Sequence, residues 1–451
     1  MKLKKFGLQA GIFSMALLGQ EVMAADRELL DILLANGSIT RAQYDQLLKK
    51  KEPLTKNDVE VSLGAKGLRF KTANGNFKMK IGGRLHADGS IHSEDNIGNE
   101  DISDGTDIRR ARLHVKGVIF QDWHYKAQYD FAGNKTRIKD LYLKYTGFDW
   151  FSIAVGHQKQ PFSLQLQMSS NDIPFIERSL DNGLVEPLVD RAIGVRLDSH
   201  GKHWFAAGGL YGDSAGGKNK SDEGWGVTGR FALAPIRSKE QVVHFAVNGA
   251  YRVPQNGKSV RFRDKTTHKS NVALIDTGSL ITGLDNTILA GAEAATAIGP
   301  FSLEGEYTHA FVNRRGNHVP TRHNLGFDGF HIQAAWSLTG ESRAASYKMS
   351  GGKFKRLKPA HYFSLSQGGW GAWEVAARYA WIDLNDQDIK GGKEQAFTVG
   401  LNWYLNPNIR LMADWTRVLD TSHALGANFT SNADAAASGL DIIQLRTQLT
   451  F

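Results

Sequence analysis

From Asn76 onward the chain alternates between apolar and polar residues. Between Phe77 and Ile91 the odd positions carry Phe77, Met79, Ile81, Gly83, Leu85, Ala87, Gly89 and Ile91. The even positions carry Lys78, Lys80, Gly82, Arg84, His86, Asp88 and Ser90. A strand turns successive side chains to opposite faces, so this stretch has one apolar face and one polar, largely basic face. The pattern returns at 109–116, where Arg110, Arg112, His114 and Lys116 share the polar face. It returns again at the C-terminus, where Ile443, Leu445, Thr447, Leu449 and Phe451 oppose Gln444, Arg446, Gln448 and Thr450. A soluble β protein could bury one such face. An aromatic last residue closing such a strand fits a transmembrane barrel better, with the apolar face on lipid and the polar face in a water-filled lumen.

Strands are predicted at 76–91, 109–116, 123–133, 137–146, 150–158, 192–199, 203–212, 224–234, 241–253, 286–298, 300–312, 327–339, 371–384, 395–405, 408–418 and 440–451. Sixteen is an even number, which lets an antiparallel sheet close on itself. Many strands carry Trp or Tyr near their ends, as lipid–water girdles require. Short turns such as Gly147-Phe148-Asp149 and Gly299-Pro300 alternate with longer connections. Three connections, 159–191, 254–285 and 340–370, are too long for mere links and are expected to fold into the lumen.

Before the barrel, Lys2, Lys4 and Lys5 precede a short apolar stretch at 6–18, and Val22 and Ala24 suit cleavage after Ala24. Residues 1–24 therefore read as a secretory signal peptide, too short in its apolar part to span a membrane. Residues 25–52 read as a helical, coiled-coil-like periplasmic segment: Leu29, Leu30, Ile32, Leu33 and Leu34 form a stripe, Asn36-Gly37 ends it, and Ser38 or Thr40 can cap a second helix. Residues 53–75 read as a linker with weak strand character, and 76–451 as the transmembrane β-barrel domain.

Composition sharpens this. Mean hydropathy is −0.35, as expected where every other strand residue faces water. The absence of cysteine excludes disulfide scaffolds, thiolate metal sites and thiol nucleophiles. Net charge is +9, and loss of Lys2, Lys4, Lys5 and Glu21 with the leader leaves about +7. Because most basic residues of the first two strands fall on the lumen parity, the partner expected is a small anion and not nucleic acid, with membrane lipid and lipopolysaccharide outside. Gly212-Asp213-Ser214-Ala215-Gly216 mimics a nucleophile elbow, and 212–218 mimics a phosphate loop. The first lacks a strand-to-helix turn and the second has Asn219 where Ser or Thr is needed. The carboxylates of 93–107 lack the order of a calcium loop and read as solvated. No catalytic constellation, cofactor or metal is expected.

The stretches Ile81-Gly82-Gly83-Arg84, Arg109-Arg110-Ala111, Asp122-Trp123, Ser169-Ser170, Glu177-Arg178, Arg261-Phe262-Arg263, Ser337 to Glu341, Gly371 to Glu374 and Asn402-Trp403-Tyr404 together resemble the phosphate-selective porin O and P family. The resemblance covers about 76–451. It implies a sixteen-stranded, homotrimeric channel in the Gram-negative outer membrane, passing phosphate or related oxyanions (pyrophosphate, polyphosphate) down a ladder of arginines. By that resemblance Arg84, Arg109, Arg110, Arg178, Arg261 and Arg263 are ladder or eyelet arginines, and Ser169 and Ser170 are constriction serines. Lys353 and Lys355 then belong to an inward-folded periplasmic turn. Arg112 joins them on lumen parity. Arg109 has the lipid parity and reaches the pore only if the chain bends there. Arg446 reads as general positive lining. The family's phosphate-selective members carry a lysine where Leu166 stands, so the resemblance implies anion preference here without that ammonium. The alternative reading is a less specific anion or organic-acid porin.

Overall fold

The computed structural model describes residues 30–49, 58–97, 100–215, 222–255, 259–265, 267–270, 272–315, 323–422 and 438–451. The expected leader lies outside them. Residues 30–35 and Arg41–Lys49 are helical. Between them Gly37 takes φ 68°, and the Thr40 hydroxyl accepts from Gln43 N at 3.2 Å while Gln43 Oε1 accepts from Thr40 N at 2.8 Å. This reciprocal cap satisfies two amides at the helix start.

The barrel strands are β1 (Phe77–His92), β2 (Gly105–Ile119), β3 (Trp123–Asp130), β4 (Arg137–Tyr145), β5 (Ser152–Lys159), β6 (Arg191–His200), β7 (Trp204–Tyr211) and β8 (Trp225–Arg237). They continue as β9 (Gln241–Val253), β10 (Leu284–Ile298), β11 (Phe301–Arg314), β12 (Leu325–Ser337), β13 (Ala372–Asp386), β14 (Ile389–Tyr404), β15 (Ile409–Ser422) and β16 (Asp441–Thr450). Each pairs antiparallel with the next, and β16 closes on β1 with Leu449 opposite Leu85 and Arg446 opposite Asp88. Phe451 and Gly83 exchange backbone hydrogen bonds at 3.0 and 3.1 Å. A Cβ on Gly83 would lie 2.7 Å from the Phe451 ring, so glycine lets the terminal ring lie flat against β1.

Expected and observed strands agree in number and order. They differ at ends: β2 starts at Gly105 and β14 at Ile389, earlier than alternation indicates. These ends bear polar residues on both faces, so hydrogen bonding continues after the two-faced pattern stops. A further strand, Gly67–Thr72, pairs with β1, Leu68 opposite Ile81, within the stretch read as linker.

Outward side chains make an apolar belt, including Leu85, Leu113, Leu143, Val195, Phe245, Phe311 and Leu445. At the short-turn end, where β1 begins and β16 finishes, aromatic pairs rim the barrel: Trp373 stacks on Trp403 at 4.8 Å and Phe301 on Trp336 at 5.3 Å. Short turns mark the periplasmic end.

The interior is filled along one side. One apolar cluster joins Phe162, Leu166, Leu184 and Val185 of the 160–190 loop to Phe262, to Phe327 on β12 and to Ile382 on β13. Another joins Leu164 and Met168 to Phe205, Ala232 and Val242 on β7 to β9 and to Tyr347 and Phe354 of the 338–371 connection. All three long connections thus contribute to the interior, and β1 to β6 face the space that remains.

Candidate functional site

The 160–190 loop is held from behind by polar contacts that leave it little freedom. Glu306 on β11 accepts Leu164 N and Gln165 N at 2.9 and 2.7 Å. Asn402 on β14 donates to Pro174 O at 2.7 Å, Arg410 on β15 to Ile173 O at 2.9 Å, and Ile176 N to Asp414 at 2.7 Å. Hydrogen bonds made inside a low-dielectric interior are stronger than the same bonds in water. The 338–371 connection is clamped likewise. Arg343 forms two 2.7 Å bonds to Glu374, and Arg230, paired with Glu293, donates to Gly351 O and Gly352 O at 3.1 and 2.9 Å. Lys353 Nζ donates to Gln167 O at 2.9 Å, joining the two inserts. Among the described residues, Glu304, Glu306 and His331 approach as metal ligands could, but both Glu306 oxygens hold loop amides and His331 Nδ1 meets Asp181 at 3.0 Å. That trio braces the loop.

Between these inserts and β1 to β6 lies a cavity of about 570 Å³. Eight arginines and seven lysines line it, against the five carboxylates of Asp140, Asp172, Glu186, Asp190 and Asp198. The wall is built in rungs. Arg84 stands opposite Arg112, Lys80 opposite Lys116, and Lys116 opposite Lys126. Like charges directly across a ladder cost stability, so three such pairs on one wall are not there to hold the sheet together. Arg84 reaches from β1 to the loop, donating to Ser169 Oγ at 3.1 Å and Ser170 Oγ at 3.0 Å. Among the described residues no carboxylate ion-pairs with it. Other cations are partly neutralised: Asp140 takes both Lys126 and Arg191, and Asp198 takes Lys144 at 2.7 Å.

Nine of the eleven residues singled out in the sequence line this cavity: Arg84, Arg109, Arg110, Arg112, Arg178, Ser169, Ser170, Lys353 and Lys355. Arg109 gets there through a bulge. His86 pairs with Arg110 and Ala87 with Ile108, leaving Arg109 as the extra residue, so two consecutive arginines can point inward. Glu177 collects them, bonding Arg109 at 2.8 Å, Arg110 at 3.5 Å and Arg446 at 2.9 Å. Burial opposes ionisation of Glu177, yet Arg109, Arg110 and Arg446 hold its carboxyl well below the usual carboxylate range. Arg178 spans the loop itself, donating to Gln165 O at 3.0 Å and Met168 O at 3.3 Å.

Arg261 and Arg263 are not in the cavity. Phe262 between them is buried against Phe327, ring centroids 5.6 Å apart, and alternation throws both arginines to the outer side of their connection. Arg261 is committed to Asp276 at 2.6 Å, and Arg263 is exposed in a two-residue ladder with Asp276. Arg446 is also not open lining: it is buried against Asp88, Glu177 and Ile176 O, and clamps the loop. Leu166 points into apolar packing, while its carbonyl accepts from the Lys159 ammonium. Sequence reasoning missed Lys159, Lys126, Lys139, Lys144, Arg191 and Arg196. The inward parity of Lys126 on β3 and of Asp140, Tyr142 and Lys144 on β4 was the available signal. Desolvation of half-buried Lys353, with Lys355 and Arg196 close by, pushes its ammonium pKa down to about 7.

The two motif-like stretches make local contacts. Asp213 pairs with Arg252 beside β8, and 216–221 lies outside the described residues. In the acidic loop Asp104 meets His92 at 2.8 Å and Asp107 meets His268, while Ile97 and Ile102 are buried with Val272 and Leu440.

The model of the family described as Phosphate-selective porin O and P matches residues 79–451. Porin O of Pseudomonas aeruginosa is 28% identical over 386 residues, covering 78% of this chain and 85% of its own. Among solved structures, the anion-selective porin from Comamonas acidovorans is similar with TM-score 0.52 at 12% identity, covering 83% of this chain and 100% of that one. The loop L8 deletion mutant of the Vibrio cholerae outer membrane protein OmpT gives 0.52 at 9%, with the same coverage. At these identities the structures speak to fold, and the fold is that of outer-membrane porins. The chain belongs to the Phosphate-selective porin O and P family and is an outer-membrane β-barrel channel, not an enzyme.

Proposed function

We propose that this channel passes anions passively along the β1 to β6 wall, with phosphate or related oxyanions such as pyrophosphate and polyphosphate as its solutes. The observation that carries this is the excess of fifteen cationic side chains over five carboxylates around one 570 Å³ cavity. Such an excess in a narrow, low-dielectric passage concentrates anions and excludes cations. Guanidinium and hydroxyl donors replace water lost by an entering oxyanion, and partial neutralisation by Asp140 and Asp198 keeps each station weak enough for release. Arg84, Arg112, Ser169 and Ser170 form the station at the loop. Arg109, Arg110 and Arg178 stand above it, and Lys353 and Lys355 receive the anion from the turn.

One observation favours a broader anion or organic-acid channel: Leu166 offers only apolar packing in the loop. Adding phosphate to a chloride-conducting pore separates the two, since a tight phosphate station blocks chloride current at low phosphate and a broad channel does not. A non-conducting barrel ends both readings. The leader at 1–24 is proposed to be cleaved, 25–52 to lie in the periplasm, and the barrel to assemble as a homotrimer in contact with lipopolysaccharide. Mass spectrometry of the secreted chain and cross-linking in native membranes test these.

A further inference from the structure

The connection between β12 and β13 divides in two. Up to Leu357, which is buried with Ala372 and Tyr404, it runs inside the barrel. Residues 361–370 then turn back out as a small hairpin, closed by Ser364 and Gly369 through hydrogen bonds of 2.9 and 3.1 Å. The whole connection was expected to fold inward; this part does not.

The hairpin is fastened to the outer, lipid-facing rim. Trp403 Nε1 donates to Trp370 O at 2.8 Å, and Phe363 N donates to Leu405 O at 2.7 Å. The Phe363 ring meets Trp403 edge-on at 5.0 Å, and Trp403 in turn stacks on Trp373. Beyond that attachment the hairpin presents Leu365, 88% exposed, Trp370, 71% exposed, and Tyr362, 58% exposed. Leu365 and Trp370 are thus far more exposed than lipid-facing side chains within the belt such as Ile443 at 48%. From 358 to 370 the chain has no carboxylate and one lysine, Lys358.

We propose that this hairpin is a membrane-interface anchor, laying Tyr362, Leu365 and Trp370 into the headgroup–acyl boundary of the periplasmic leaflet. Three features argue for phospholipid as the occupant. The apolar tip continues the Trp373–Trp403 girdle without a break. Aromatic rings with a polar edge favour that depth. A segment with a lysine and no carboxylate meets anionic headgroups without repulsion. The anchor extends the barrel's grip on the leaflet sideways beyond the strands, independently of which ions pass.

The chain has no native cysteine, so Leu365→Cys and, separately, Trp370→Cys each introduce one thiol for a nitroxide label. Each labelled full-length protein, first shown to conduct, is reconstituted in phosphatidylethanolamine–phosphatidylglycerol vesicles. Collisions with oxygen, which partitions into lipid, are compared with collisions with a water-soluble nickel chelate. Ile443→Cys serves as the lipid-facing reference. The proposal expects oxygen to dominate at 365 and 370 as it does at 443. Dominant nickel access would make the hairpin an aqueous loop and overturn it. Spin–spin broadening between labels on two copies, or a disulfide joining the introduced thiols of two Leu365→Cys chains, would make it a protein interface and overturn it equally.

Discussion

Arg84→Ala isolates the station where the first strand meets the 160–190 loop. The Arg84 guanidinium has two serine hydroxyls as partners, at 3.1 and 3.0 Å, and no ion-paired carboxylate among the described residues. Its full charge is therefore available to a passing anion. A unit charge about 4 Å from an oxyanion is worth ~4 kcal/mol at an effective dielectric of about 20. Measured charge-assisted hydrogen bonds retain ~1.5–3 kcal/mol after desolvation. Ser169, Ser170 and Arg112 stay in place and water fills part of the gap, so the net loss is about 2 kcal/mol. That is a roughly 30-fold rise in the phosphate concentration that half-blocks chloride current in a planar bilayer. Arg84→Lys, with one ammonium for a fork, falls between the two. Arg261→Ala is the control: its guanidinium is already committed to Asp276 outside the cavity, and its half-block changes less than about twofold. An unchanged half-block in Arg84→Ala, or an equal shift in Arg261→Ala, would refute the assignment of the pore wall.

Leu166→Lys does not create tight phosphate block, because the side chain enters the Phe162–Leu184 cluster; it lowers the barrel's thermal unfolding temperature instead. A large gain in phosphate block would show that the loop turns its 166 side chain to the pore. Arg446→Ala leaves Asp88 and Glu177 short of a partner and costs about 3–5 kcal/mol, seen as a lower temperature of the folded-to-unfolded gel shift and noisier single-channel current. Lys353 sits near pKa 7 through burial beside Lys355 and Arg196, so its charge is present below that pH and lost above it. Chloride-over-potassium selectivity therefore falls from about pH 6 to about pH 8, and Lys353→Arg flattens the profile; chloride is used because it does not titrate.

The barrel was legible because lipid on one side and water on the other enforce a two-residue period. That period carried β1, β9 and β16 nearly to their ends and faded at β2 and β14, where strands continue into polar surroundings. Arg84, Arg110 and Arg112 could be placed by parity alone. Arg109 needed the bulge, which no local pattern announces: it appears only when β2 is set against β1. The loop arginines divided according to what lay between them. Arg178 lines the cavity because the loop is pinned by Glu306, Asn402 and Asp414 from strands more than a hundred residues away in sequence. Arg261 and Arg263 left it because Phe262 took the inward place. Lys159 and Arg191 were missed because they sit at strand ends, where parity cannot tell a mouth residue from an outer one. The inward and outward halves of 340–370 look alike in sequence. Only contacts with Glu374 on one side and Trp403 on the other separate them.

The central claim is that the cation-lined cavity beside β1 to β6 is the conducting path. The zero-current potential of the reconstituted full-length protein under a tenfold potassium chloride gradient tests it most directly. The account predicts a potential close to the chloride equilibrium value, moving toward zero in Arg84→Ala and Arg112→Ala. A potential of the potassium sign, or the wild-type value in both variants, would contradict it.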